Sequence, residues 1–147
     1  MQHVFQKTVM LSTTAAIALL VTGCGESKVS QCNKIVKIAN QAATIGQEFG
    51  KNPKPQQGSK SLTEVAGKID QVANDMKAVE VKDEKLQGFQ GRFLTLYQDT
   101  SKGLRDAAGA LDKKNFKAAN GYLASLKKST SQETAIVQEI NTYCSGK

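Results

Sequence analysis

From residue 32 onward, apolar side chains recur at alternating steps of three and four. Cys32, Ile35, Ala39, Ala42, Gly46 and Phe49 form one series, and Leu62, Val65, Ile69, Val72, Met76 and Val79 form a second. Leu86, Phe89, Phe93, Leu96 and Thr100 run on into Leu104, Ala107 and Leu111. A fourth series opens with Phe116, Ala119, Leu123 and Leu126, crosses a polar middle, KKSTSQET, and closes with Val137, Ile140 and Cys144. Such spacing holds each series on one face of a helix, and no segment alternates with the period of two that marks a half-buried strand. The pattern predicts an all-α protein of four amphipathic helices around one core.

The breaks agree. Residues 50–61, GKNPKPQQGSKS, hold both prolines of the chain and make the longest connection. Ser61 with Glu64 three residues on reads as a capping box opening the second helix. Asp83, within residues 80–84, is the expected N-cap of the third, and Asp112 to Asn115 make a tight link to the fourth. Short links place successive helices side by side and antiparallel. An up-down-up-down bundle over residues 31–147 follows.

The first 23 residues differ in kind. MQHVFQK is a mildly basic start, and VMLSTTAAIALLV is an apolar run of export-signal length. Export signals use about 7–15 apolar residues, whereas a membrane span needs about 20. The run ends in Val21-Thr22-Gly23-Cys24, which resembles the lipobox of bacterial lipoproteins. The resemblance covers residues 1–24. It implies that residues 1–23 are a signal peptide that is cut away, that the Cys24 thiol carries palmitate-like acyl chains, and that residues 24–30 form a lipidated polar leash. It further implies an exported protein held on the extracytoplasmic face of a bacterial membrane. Gly25, where some lipoproteins of two-membrane bacteria carry a retaining aspartate, favours the outer membrane in such a host. Two or more acyl chains anchor stably where one is marginal.

Export changes the reading of the other two cysteines. In an oxidising compartment, Cys32 and Cys144 are expected to pair. The bridge closes a loop of over 100 residues, worth up to about 4.7 kcal/mol in the chain-entropy model. It also demands that the two ends of the bundle meet, which an even number of helices provides and three helices do not.

Composition narrows the function. The chain of 147 residues has five Phe, three Tyr and no Trp, so its core must be mainly aliphatic. The formal charge is +7, and Lys7 is the only charged residue before Cys24. No window combines clustered Lys and Arg with aromatics as nucleic-acid readers do, so nucleic acid is not an expected partner. The only histidine, His3, lies in the segment expected to be removed, which excludes His-dependent triads, HExxH zinc sites and Glu-x-x-His di-iron sites from the mature protein. There is no phosphate-binding glycine loop and no CxxCH. No cofactor, metal or catalytic residue is expected.

Candidate binding residues remain. Glu133 falls on or beside the inward seam of the fourth helix, level with Thr95 and Tyr97 of the third, with Tyr97 or Arg92 available as its partner. Lys51, Lys54 and Lys60 surround the two prolines of the long loop as a basic contact surface for an acidic partner. Tyr97 and Tyr122 beside the apolar stripe are candidate contact residues, as tyrosines often are. The expected function is that of a non-catalytic accessory or structural module that binds another envelope or membrane protein. The alternative is a carrier of a small apolar or anionic ligand, with room made by Ala39, Ala42, Ala43 and Gly46.

Overall fold

A computed structural model describes residues 26–51 and 58–146. Cys24, Lys54 and the export-signal segment lie outside the described residues. The elements are α1 (Lys28–Lys51), α2 (Gly58–Ala78), α3 (Glu84–Asp112) and α4 (Phe116–Cys144). At 1.5 Å per residue the two longest rods measure about 43 Å.

Side-chain pairings fix the directions. Between α3 and α4, Arg92 meets Glu139 while Tyr97 meets Glu133. Between α2 and α3, Gln90 reaches Met76 while Ser101 and Arg105 reach Asp70. In both pairs one number rises as the other falls, so the helices are antiparallel. Each helix packs on its sequence neighbours, and α1 also packs on α4, which closes the ring. The Cys32–Cys144 disulfide joins α1 to the end of α4, with the two Cα atoms 6.1 Å apart. The expected up-down-up-down bundle with a terminal disulfide is what the chain forms.

Core residues are those of the 3–4 pattern. The largest fully buried side chains are Phe93, Ile35, Met76, Leu86, Ile140 and Cys32. All six belong to the half of the bundle that contains the disulfide. Each such side chain contributes about 1.5–3 kcal/mol through burial.

Polar groups complete that end. Gln31, only 6% exposed, donates from Nε2 to the Glu26 carbonyl. Its Oε1 accepts from the backbone N–H groups of Lys82 and Asp83, at 2.6 and 3.1 Å. Gln31 therefore fastens the α2–α3 connection to α1. Gln90 Nε2 donates to the carbonyls of Met76, in the last turn of α2, and of Val79, just beyond it; the Met76 carbonyl also accepts from the Val79 N–H. Asp83 caps α3 by accepting from the Leu86 N–H at 2.9 Å. It also accepts from the Tyr143 hydroxyl at 2.7 Å, and these bonds, the tyrosine's first, hold its carboxyl below the usual aspartate range.

Three details depart from the sequence reading. Helix α1 begins at Lys28, so residues 28–30, expected in the leash, are helical. Glu26 accepts from Ser30 and pairs with Lys34 at 2.6 Å, and the Ser27 hydroxyl accepts from the Ser30 N–H, which together favour the earlier start. Helix α2 begins at Gly58, so Ser61 lies inside its first turn and is not the N-cap. The chain is already helical three residues before Ser61, so the capping signal there does not mark the start of the helix. Phe116, expected on the buried stripe, is 63% exposed because α4 starts with it immediately beyond the tight turn, at the rim of the bundle.

Reducing the disulfide tests the closure. Unfolding in urea with and without dithiothreitol should show a loss of about 3–5 kcal/mol on reduction. An unchanged midpoint would mean that the ends are held by packing alone.

Candidate functional site

The half of the bundle away from the disulfide is packed differently. Helix α1 there presents Ala42 and Gly46, and an added Cβ at Gly46 would meet nothing within 4 Å. Opposite, the polar middle of α4 presents Ser129, Thr130 and Glu133. Small residues facing small or polar ones cannot fill the space between two helices. The result is a partly enclosed cavity of about 360 Å³.

All four helices contribute to its wall. Ile45 and Phe49 of α1, Val65 and Ile69 of α2, Leu104 of α3, and Leu123 and Leu126 of α4 supply apolar surface. Tyr97 and Thr100 come from α3, and Lys127 stands at the rim. Glu133 is the one acid in this lining and Lys127 the one base.

Glu133 and Tyr97 form the polar centre. Tyr97 is 2% exposed, and its hydroxyl donates to Glu133 Oε1 at 2.9 Å. Its ring stacks on Phe93, with centroids 5.8 Å apart, so the core aromatics hold the hydroxyl in place. Burial pushes the Glu133 carboxyl above its ordinary pKa of 4.5, opposed in part by the Tyr97 hydrogen bond. The Tyr97 phenol is also pushed up, first by burial and then by the negative charge of Glu133. Both shifts keep a proton within the pair. The second carboxyl oxygen, Oε2, carries none of the hydrogen bonds among the described residues. It is the group free to meet a guest. One carboxyl with one hydrogen-bonding tyrosine can orient a ligand through its free oxygen.

The sequence candidates are thus separated. Tyr97 is buried and faces the cavity, so it is not a contact residue for a protein surface. Of the two proposed partners of Glu133, Tyr97 is the one, because Arg92 is held by Glu139 in a two-pronged pair of 2.6 and 2.8 Å. Tyr122 is 40% exposed on α4 and lies outside the cavity lining. Lys51 and Lys60 are exposed at the end of the bundle opposite the disulfide. Ala42 and Gly46 do line the space, whereas Ala39 is buried in packed core and Ala43 is exposed. Sequence reasoning did not find Gln31, whose role depends on a contact 51 residues away.

Among the described residues, no helix is long and apolar enough to cross a membrane, and no group of three or more His, Cys, Asp or Glu could hold a metal ion. Compared with protein-family models, curated proteins and solved structures, the chain gives no match.

The raised pKa of Glu133 has a stability consequence. The unfolded carboxyl releases its proton near 4.5, while the folded one retains it to higher pH. Stability therefore falls as pH rises through this window. Glu133→Gln keeps an acceptor for Tyr97 and removes the titration. Urea midpoints should match the wild type near pH 3 and exceed it near pH 8; a variant less stable at pH 8 would overturn this account.

Proposed function

We propose that this protein is an exported, lipid-anchored envelope protein that binds a small, largely apolar ligand between α1 and α4. Of the two readings drawn from the sequence, accessory module and ligand carrier, the cavity favours the second. Its volume falls at the lower end of the ~300–1,000 Å³ of ligand sites, and its wall is apolar with a few converging polar groups, as in such sites. The Glu133 carboxyl narrows the class: the polar end of the guest is an uncharged donor or a cation, and an anion would be repelled when Glu133 is ionised.

A chain of residues 25–147 on an ordinary export signal, oxidised and free of detergent, allows a direct measurement. Titrated with N-phenyl-1-naphthylamine, a neutral apolar fluorophore with one N–H, it should give saturable one-to-one binding. Gly46→Leu should fill the cavity and weaken binding about tenfold or more, a change of 1.4 kcal/mol. The same substitution should stabilise the fold by about 0.5–1 kcal/mol, since glycine is a poor helix former and open space receives the side chain. Non-saturating fluorescence, or equal binding by the variant, would sink the ligand reading.

The anchor is tested separately. In cells making the full chain, the wild type should partition into the detergent phase of Triton X-114 and incorporate labelled palmitate. Cys24→Ser should do neither. Acylation that survives this substitution would remove the lipoprotein assignment.

A further inference from the structure

The end of the bundle opposite the disulfide breaks several rules of helix stability, each time with a lysine. Lys60 stands in the first turn of α2 and Lys117 in the first turn of α4, and neither turn contains an acid. Unpaired N–H groups make a helix start partly positive, so a cation there is unfavourable by a few tenths to about 1 kcal/mol. Lys114 has a φ of 57°, the one non-glycine residue with positive φ among the described residues. A side chain held in that region costs about 1–2 kcal/mol, which Gly or Asn would reduce. Lys51 and Lys113 complete the group at the ends of α1 and α3.

All five lysines are exposed, and among the described residues none takes part in an ion pair or a side-chain hydrogen bond. Glu48 and Asp112 are the acids in the same terminal turns, so positive charge is in excess. The sixth feature is Phe116, a large aromatic side chain 63% exposed beside Lys117. Lys51 and Lys113 complement the partly negative C-terminal ends of α1 and α3, but Lys60, Lys114, Lys117 and the exposed Phe116 bring folding no such gain. Local preferences broken together, in one place, mark a surface shaped by something other than stability.

We propose that this basic end, with Phe116 as its apolar anchor, docks an acidic face of a partner protein. A purely polar polyanion, such as a phosphate-bearing glycan, would leave Phe116 without a role. A protein face with carboxylates around an apolar socket uses both features, in the pattern of an aromatic centre and a charged rim. The surface is separate from the cavity and from its ligand.

Site-directed photo-crosslinking in cells making the full, lipidated chain tests this. Phe116→p-benzoylphenylalanine should crosslink to one protein, at a peptide rich in Asp or Glu, and Thr142→p-benzoylphenylalanine at the disulfide end should not. Charge reversal by Lys113→Glu, Lys114→Glu and Lys117→Glu together should cut the yield at least tenfold. Should that triple variant fold poorly, the salt response of the otherwise unaltered chain decides the matter. In isolated membranes the yield should drop about tenfold between roughly 0.05 and 0.5 M NaCl, as screened attractions do. No protein adduct, an adduct to glycan or lipid, or a protein adduct indifferent to both charge reversal and salt would each overturn the proposal.

Discussion

Pinning α1 to the rest of the bundle at one end is the constraint on which the remaining structure depends. The bond between Cys32 and Cys144 sits beside Gln31, which holds the α2–α3 connection, and beside Tyr143, whose hydroxyl binds Asp83. Lys28 donates to the Tyr143 carbonyl from the start of α1. The beginning of α1, the α2–α3 connection and the end of α4 thus meet in one cluster, directly above Ile35, Leu86, Phe93 and Ile140. A link worth a few kcal/mol is a large fraction of the ~5–15 kcal/mol that holds a domain folded. With that end secured, the far half of α1 can pack loosely without the helix being lost.

The cavity follows from this division. A seam of Ala and Gly on α1 against Ser, Thr and Glu on α4 would be a poor way to hold two helices if nothing else held them. Glu133 makes the point sharply, because its half-buried carboxyl, beside Ile, Leu and Phe, gives up part of its hydration for a single tyrosine hydrogen bond. Leucine there would pack better. Retaining the acid, like leaving Gly46 open, gives up stability where a guest would recover it by covering the apolar wall and meeting Oε2.

Much of this was legible in the order of residues, because helical periodicity is local and strong. The four stripes, the Asp83 cap and the tight link at Asn115 needed no knowledge of distant contacts. The cysteine pair was readable because parity of helix number and meeting of the ends are the same statement. Ser61 misled because a local capping signal, worth about 1 kcal/mol, shows where a helix could start and not where it does: α2 is helical from Gly58. Phe116 misled because periodicity places a residue on a face but does not say whether the neighbouring helices extend that far. Glu133 and Tyr97 could be set level by counting residues along antiparallel rods. The void beside that pair could not, since it exists only where a small stripe on α1 happens to face a polar stretch on α4.

Length then orders the parts in space. With Cys24 as the proposed lipid site, four residue steps separate it from Lys28, a reach of at most about 14 Å. The disulfide end would stay within that distance of the bilayer surface. The cavity begins ten residues up α1 from Cys32 and ends near Phe49, about 15–25 Å further out along the rod. Acyl chains of the bilayer are therefore out of reach of Glu133 in an upright bundle. Under the proposed anchoring, a ligand would come from the aqueous compartment or from a second protein, and the end nearest such a donor would be the one where the lysines gather. With the proposed anchor at Cys24, the disulfide-bonded end would face the membrane and the loosely packed end would face away from it.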